Sequence, residues 1–402
     1  MSNLSTLMNK VGCTKWPQRW EGLFDEVEAD FRANGTIFTD PEYYQDLHDR
    51  LGILNKHLDL YKKAATEIGK DQDLSLFLAL LCRALQDREY HSSDVKSFVA
   101  PVSDDNNPNF AYDMHTALAL ASEADMCFKV LKERNIPEEH FNRIMNAPEG
   151  GIDYYQARFG RPGYNLIGWN QLNIDCCLYN TGRLQIQIDR GFHGNAQVFV
   201  DENGAQMVLA HDITVHSSGR VLGSKYCEDS EGSRLCAVLE TADSYIGYPI
   251  NESGLVEKFA VALPKAQWKR VLKKDDRIVA LHIPAGGGLT PDLVDDAINK
   301  AKEFLATYYP DYEYKAFTCG SWLLDRQLVD ILGEETNISK FCKRFRPIPL
   351  HSRGEAVFNF VFHKPNMNFE MKDLPENTTL ERKLKQHFLN GGAIYETYGY
   401  FF

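Results

Sequence analysis

The stretch from His282 to Phe304, HIPAGGGLTPDLVDDAINKAKEF, decides the fold of the second half of this chain. It continues the apolar run RIVAL at Arg277–Leu281, which is apolar on both faces, as is typical of a central strand. After three glycines, apolar residues recur at helical spacing, and Thr290 followed by Pro291 marks the expected start of a helix. The sequence therefore predicts a strand, a glycine loop and a helix in succession.

The glycine loop, Gly286–Gly288, allows two interpretations. Backbone N–H groups at a helix N-terminus form a ready anion site, and glycine lets a phosphate approach the backbone closely. A tight turn is the alternative, because the loop has no Lys or Arg and Asp292, Asp295 and Asp296 follow it. The loop also lacks the Gly-Lys-Ser/Thr motif of nucleotide hydrolases.

Composition excludes several classes of protein. The 402 residues are 44% apolar and 25% charged, which is typical of globular proteins and is enough chain for two or three domains. A net charge of −12 without a basic patch argues against nucleic acid or an anionic membrane as the main partner. No apolar run reaches the roughly 18 residues of a membrane span. Nine cysteines without a CxxC pair predict a protein of the reducing cytoplasm.

The first 150 residues carry helical periodicity. Asp40-Pro41 is expected to begin one long helix that reaches Tyr61, DLSLFLALLCRAL at Asp73–Leu85 should be the buried centre of a bundle, and Met114–Asn135 should form one helix. The Gly- and Pro-rich stretch APEGGIDYYQARFGRPGYN at Ala147–Asn165 is expected to be a domain boundary or a long connector. We therefore predict a helical domain over 1–150 and a second domain over 151–402.

Beyond this connector the apolar period becomes two, which predicts strands. A hairpin is expected around Asn203-Gly204, a short helix at KAQWKRVL (Lys265–Leu272), and a strand at AVFNFVFH (Ala356–His363). The predicted fold class is α/β (α+β), with a mixed, mostly antiparallel sheet and flanking helices.

The segments HIPAGGGLTPDLVDDAINKAKEFLATYYPDY, FTCGSWLLDRQL and TNISKFCKRF resemble the C-terminal domain of a bacterial family of GNAT-like acyltransferases. GRLQIQ at Gly182–Gln187 and LPENTTLERKLKQHFLNGGAIYETYGYF near the end resemble that family as well. Its members pair a helical N-terminal domain with a GNAT-like domain. The resemblance implies transfer of an acyl group from acetyl-CoA or another acyl-CoA to a small-molecule amine, without a metal.

The resemblance also implies where the acyl-CoA would bind. The cofactor-binding candidates are Leu281, Ile283, Gly286, Gly287, Gly288, Leu289, Thr290 and Asn337. For Asn337, a role in a turn is the alternative. Backbone amides near Leu281 and Ile283 would hold the thioester carbonyl, and the loop would hold the pyrophosphate. Ile283 occupies the position where the superfamily usually has Gln or Arg.

Three side chains could take part in the chemistry. His282 is a candidate base because it ends the central strand and titrates near neutral pH, although a structural histidine would also fit there. Cys319 and Ser321, at the end of the next strand, could line the thioester site or protonate the leaving thiolate. Burial as a small apolar residue is the alternative for Cys319.

Two other functions stay open at this stage. A catalytically inactive GNAT-like domain could serve as a binding or scaffold protein. A metal-dependent enzyme could use His193, His211, Asp212 and His216 in the strand-rich region.

Overall fold

The computed structural model describes residues 3–87, 98–103, 106–364 and 367–402. The chain forms two compact units, Met1–Tyr179 and Asn180–Phe402. The division thus falls within the strand β1 (Leu178–Asn180), later than the expected position at residue 150. Within the described ranges, no helix combines the length and the apolar character that crossing a bilayer requires.

The first unit is helical, as the periodicity predicts. Its described helices are α1 (Asn3–Val11), α2 (Trp20–Asn34), α3 (Pro41–Leu51), α4 (Leu58–Ile68), α5 (Gln72–Gln86), α6 (Phe110–Ala121), α7 (Ala124–Glu133), α8 (Glu138–Phe159) and α9 (Ile167–Ile174). Asp40 caps α3 by accepting a hydrogen bond from the Glu42 N–H at 3.0 Å. The apolar stretch in α5 is buried on nearly every side, as expected of a bundle centre.

Three predictions in this unit are wrong. The long helix after Pro41 is two helices, because Gly52 takes a left-handed conformation (φ 66°) that ends α3. The helix expected over Met114–Asn135 is likewise divided, between α6 and α7. Most of the expected connector at Ala147–Asn165 is instead helical, since α8 continues to Phe159. Gly151 lies against the Tyr164 ring, so this glycine provides room for packing.

The second unit contains the strands. They are β1 (Leu178–Asn180), β2 (Gln185–Gly191), β3 (Ala196–Asp201), β4 (Gln206–Ala210), β5 (Ile213–Val215), β6 (Arg234–Cys236), β7 (Leu239–Glu240), β8 (Ser244–Gly247), β9 (Val261–Pro264), β10 (Trp268–Leu272), β11 (Arg277–His282), β12 (Phe317–Ser321), β13 (Arg346–Pro349) and β14 (Thr397–Phe401). The main sheet has the order β1-β2-β11-β12-β14-β13. This mixed sheet with its flanking helices confirms the predicted fold class.

The stretch His282–Phe304 belongs to the connection between two parallel strands of this sheet. β11 and β12 are parallel neighbours, and the helix that connects them is α10 (Pro291–Tyr308). β11 pairs on its other side with β2, antiparallel, and β14 lies antiparallel between β12 and β13. The strand, glycine loop and helix therefore occur as the sequence predicts.

The smaller sheets confirm one local prediction and overturn another. β3 and β4 form the hairpin expected around Asn203-Gly204, with Val200 opposite Gln206. The helix expected at Lys265–Leu272 is instead largely the strand β10, which pairs with β3. Pairing along β3 outweighs the helical propensity of Lys, Ala and Gln.

The remaining helices of this unit are α11 (Gln327–Leu332), α12 (Asn337–Lys343), α13 (Ala356–Phe362) and α14 (Thr379–Leu389). The prediction of a strand at Ala356–His363 is wrong, because that segment is α13. As a helix it buries Val357, Phe358 and Phe362, and the ring of Phe358 lies 4.7 Å from that of Phe388 on α14. Packing of these aromatic rings decides between two structures that a short apolar run allows equally.

Candidate functional site

β11 and β12 separate just before the glycine loop. The pairs between them are Val279 with Phe317 and Ala280 with Thr318. Beyond these pairs each strand follows its other neighbour, so that Leu281 lies opposite Ile186 on β2, while Cys319 to Ser321 pair with β14. The carboxyl ends of the two parallel strands therefore diverge.

The backbone directly after β11 faces this opening. The Val279 N–H donates to the Ala316 carbonyl on the β12 side, at 3.0 Å. In a parallel ladder the pairing of Ala280 with Thr318 then uses the Leu281 N–H as the donor to the Thr318 carbonyl. The next N–H on the β12 side is that of Ile283, because the His282 carbonyl of the same peptide faces β2. The backbone thus provides a donor at the place where the sequence predicts a hold on a carbonyl oxygen.

The glycine loop is held by Arg183, in the turn that precedes β2. Arg183 donates from Nε to the Gly288 carbonyl and from Nη1 to the Pro284 carbonyl, both at 3.0 Å, and from Nη2 to the Gly287 carbonyl at 3.4 Å. In a trans peptide the N–H points opposite to the C=O, so the N–H groups of Gly288 and Leu289 point away from Arg183. A guanidinium therefore lies at a loop that has no cation of its own.

The backbone conformation of the loop favours glycine at two positions. Gly286 and Gly287 have φ values of 84° and 58°, in the left-handed region. A Cβ on Gly286 would meet no atom within 4 Å, so open space surrounds it. The loop is thus an exposed turn whose shape depends on glycine and on Arg183.

The aspartates after the loop are partly neutralised. Asp295 accepts a hydrogen bond from Arg344 at 2.6 Å, which lowers the pKa of Asp295. Asp296 pairs with Lys300 at 2.7 Å. Thr290 occupies the cap position of α10, but its side chain makes no capping hydrogen bond in the described structure. These ion pairs offset part of the negative charge at the start of α10. That charge therefore opposes anion binding at the glycine loop less than the sequence alone indicates.

A cavity of about 620 Å³ opens beside the loop. Its walls come from Arg183, the loop, the Trp322–Leu323 turn after β12, and the ends of three helices, α12, α13 and α14. Predicted residues on this wall are Ile283, Gly287, Gly288, Leu289 and Asn337. The fold thus brings Asn337, about 50 residues after the loop in the chain, to the same cavity as the glycines.

His282 lies at the end of β11, in a polar cluster with two residues of β2. Its Nε2 is 2.9 Å from Oε1 of Gln187, and the same Oε1 accepts from Nη1 of Arg190, also at 2.9 Å. Burial and the nearby charge of Arg190 lower the pKa of His282 to about 4. The imidazole is therefore neutral at neutral pH.

Cys319 and Ser321 lie on the other strand of the opening. Cys319 is buried, which raises the pKa of its thiol to about 12. Ser321 caps the short 3-10 turn that follows β12, because its Oγ accepts from the Leu323 N–H at 3.2 Å. Neither residue is among those that line the cavity.

The histidines considered for a metal have separate local partners. His211 accepts at Nδ1 from the Val238 N–H at 2.9 Å. His216 contacts Ser218 and Asp229, and Nε2 of His193 is 3.2 Å from Arg190. The described part of the chain contains no group of three or more His, Cys, Asp or Glu that could hold a metal ion.

Sequence reasoning missed Arg183, Gln187 and Arg190. All three belong to the GRLQIQIDR segment at Gly182–Arg190, which was used only for its strand pattern and for the resemblance of GRLQIQ to the family. Antiparallel pairing places the start of β2 beside the end of β11, and this long-range pairing, which no local pattern indicates, brings Arg183 to the loop.

Comparison with known proteins agrees with this geometry. The family model of the GNAT-like C-terminal domain matches residues 178–401, which is more than half of the chain. The chain belongs to this family. The match covers the whole six-stranded sheet, the glycine loop and the cavity beside it, and it confirms the resemblance seen in the sequence.

Solved structures similar to the whole chain are acyltransferases. One is an acyltransferase mutant in complex with octanoyl-CoA (TM-score 0.60, 17% identity, covering 100% of this chain and 99% of that one). A second is in complex with CoA and 10C-teicoplanin (TM-score 0.59, 17% identity, 98% of each chain). A third is in complex with decanoyl-CoA (TM-score 0.53, 20% identity, 89% of this chain and 87% of that one). At these identities the likeness is one of fold. No curated protein matches the sequence.

Proposed function

We propose that this GNAT-like protein transfers an acyl group from an acyl-CoA to an amine of a small molecule. The observation that carries the proposal is the divergence of β11 and β12 directly before the glycine loop. A thioester with its pantetheine arm fits such an opening, because strand amides on its edge can bind the carbonyl oxygen and the amide groups of the arm.

The parts of the site have distinct roles in this proposal. The Ile283 N–H, directly after β11, donates to the thioester carbonyl oxygen and stabilises the negative charge that develops there. The loop amides of Gly288 and Leu289 bind the pyrophosphate, with the charge of Arg183 behind them. Asn337, at the start of α12, contacts the pantetheine arm from the opposite wall of the cavity.

The chemistry balances without a cofactor beyond acyl-CoA. The amine nitrogen bonds to the thioester carbon, the C–S bond breaks, and the products are an amide and CoA. His282 takes the proton that the nitrogen loses, and the thiolate of CoA is protonated by Cys319, Ser321 or water. With its pKa lowered to about 4, His282 is too weak a base for an alkylammonium ion. The amine therefore reacts in its neutral form, and His282 accepts the proton after the N–C bond has begun to form.

Two of the similar acyltransferases are in complex with 10C-teicoplanin or teicoplanin, which supports a small-molecule acceptor. All nine cysteines are free thiols, which supports action in the reducing cytoplasm.

Release of CoA thiol tests the proposal. Purified protein would be mixed with acetyl-, octanoyl- or decanoyl-CoA and a panel of amines that includes teicoplanin, and the acceptor would be analysed by mass spectrometry. We expect thiol release that depends on the acceptor, a matching acyl mass on that acceptor, and a rate that rises with pH through the pKa of the amine. Substitution His282→Gln should lower kcat by about a hundredfold with little change in the KM for acyl-CoA. A folded protein that binds acyl-CoA but acylates no amine would instead support the inactive scaffold.

A further inference from the structure

The hydrogen bonds around His282 determine which ring nitrogen carries the proton. Arg190 has only donors, so the Gln187 atom that it contacts at 2.9 Å must be the amide oxygen. The same oxygen lies 2.9 Å from Nε2 of His282. An amide oxygen has no hydrogen to donate, so it also accepts in its contact with His282. Nε2 of His282 must therefore carry the proton.

We infer that Arg190 and Gln187 are positioning residues that fix His282 in the Nε2–H tautomer, with Nδ1 as the nitrogen that receives the proton during acyl transfer. The inference rests on the proposed function for the acyl-transfer step. The assignment of the tautomer rests on the hydrogen bonds alone. Neither Arg190 nor Gln187 needs to touch a substrate.

Strand pairing in the sheet brings Gln187 and Arg190 to His282. His282 lies opposite Gln185 on β2, and Gln187 lies two residues further on the same face of that strand. Gln187 is 7% exposed, so water competes little for its amide. Between Arg190 and Gln187 the left-handed residue Asp189 (φ 57°) shifts the register, and this bulge brings Arg190 back to the Gln187 oxygen.

Other ionisable groups lie near Arg190 and His282. On the β2 side, Nη2 of Arg190 is 3.2 Å from Nε2 of His193. From β14, the Tyr398 hydroxyl lies 3.4 Å from Nδ1 of His193, and burial raises the pKa of Tyr398 to about 12. On β12, Cys319 is a neutral thiol because burial also raises its pKa to about 12. Arg190 is thus the fixed charge of this cluster, and it favours neutral imidazole at His282.

This arrangement gives each residue a separate effect. Gln187 selects the tautomer, because only the Nε2–H form can donate to its oxygen. Arg190 orients the Gln187 amide and, by its charge, disfavours imidazolium. A carboxylate in place of Gln187 would keep the acceptor and add a negative charge, so it should preserve the tautomer and raise the pKa of His282.

Nitrogen-15 NMR of the full-length protein, labelled at the histidine rings, tests the inference directly. The His282 signals among the twelve histidines would be assigned by their loss in His282→Gln. We expect the Nε2–H tautomer at His282 between about pH 6 and 8. Substitution Gln187→Leu should allow both tautomers, and Gln187→Glu should keep the Nε2–H form and raise the pKa by about one unit or more. Gln185→Leu, the same change on the residue opposite His282, should leave the tautomer unchanged.

Kinetics supply the second readout. In Gln187→Leu we expect kcat to fall about tenfold with an unchanged KM for acyl-CoA. In Gln187→Glu the fall in rate on acidification, which follows the amine, should become steeper at a pH about one unit higher than in the wild-type protein, because His282 is protonated there. The Nδ1–H tautomer in the wild-type protein would overturn the inference, and so would equal effects of Gln185→Leu and Gln187→Leu. If the chain proves to acylate nothing, the proposed function fails while the NMR result still decides the tautomer.

Discussion

Two glycine runs, Gly150–Gly151 in the first unit and Gly286–Gly288 in the second, have opposite structural roles. Gly151 lies inside α8, where a Cβ would come within 2.4 Å of the Tyr164 ring. Gly286 and Gly287 lie in an exposed loop, and their left-handed φ values favour glycine there. The first run allows close packing, and the second gives a backbone shape that leaves amides available to a ligand. The role of a glycine run therefore depends on whether other atoms pack against it.

The largest expected effect tests the packing role. Gly151→Val places a branched side chain against Tyr164 and should lower the free energy of unfolding of the first unit by about 3 kcal/mol. Chemical denaturation followed by far-UV circular dichroism would measure this. Unchanged stability would mean that the close approach of Tyr164 does not constrain α8.

A second prediction concerns His115, a buried histidine of the first unit whose pKa is lowered like that of His282. His115 is 1% exposed, and burial lowers its pKa to about 4. The unfolded state binds a proton near the ordinary histidine pKa, whereas the folded state resists it. Stability from neutral His115 is therefore present above about pH 6.5 and is lost as the pH falls toward 4, by on the order of 2 kcal/mol at about pH 5.

Denaturation at a series of pH values would check this loss, with His115→Gln as the control that removes the titrating group. The variant should be less stable at neutral pH but should lose less stability on acidification. Parallel pH curves for the two proteins would contradict the prediction.

The third prediction concerns the loop in the second unit. Arg183→Gln removes charged hydrogen bonds to three loop carbonyls and should weaken CoA binding about tenfold, with a smaller effect on the free energy of unfolding. Calorimetric titration and denaturation of the same sample would measure both. A large loss of stability without a loss of affinity would assign Arg183 to folding alone.

The smallest effect has the opposite sign. Gly150 is exposed in α8, and a Cβ there would meet no atom within 4 Å. Gly150→Ala should therefore raise the free energy of unfolding by about 0.5–1 kcal/mol, because alanine loses less backbone entropy in a helix. Destabilisation by this change would remove the contrast with its neighbour Gly151.

Local signals predicted much of the fold. The Asn203-Gly204 hairpin and the start of α10 at Pro291 depend on residues that fix their own backbone, so the sequence alone was sufficient. AVFNFVFH and KAQWKRVL were assigned wrongly because tertiary packing decides between strand and helix in short runs. The connector expected at Ala147–Asn165 was wrong for a related reason: Gly151 and Pro148 resemble a connector unless Tyr164 is known to pack there.

The candidate site was predicted in part. The loop, Leu281 to Ile283 and Asn337 came from the resemblance to GNAT-like proteins, and the fold places the loop and Asn337 around one cavity. The partners of the site, Arg183, Gln187 and Arg190, could not be found because their roles depend on the register of β2 against β11. Register is a long-range property that no local pattern in the sequence records.

Calorimetric titration of the full-length protein with CoA, acetyl-CoA and decanoyl-CoA tests most directly whether the glycine loop holds an acyl-CoA. Gly287→Asn and Gly287→Asp form a matched pair, since both side chains tolerate the left-handed backbone and only Asp adds negative charge beside the loop amides. We predict micromolar binding by the wild-type protein and at least about tenfold weaker binding by the Asp variant than by the Asn variant. Absence of binding by the folded wild-type protein, or equal binding by the two variants, would contradict the account.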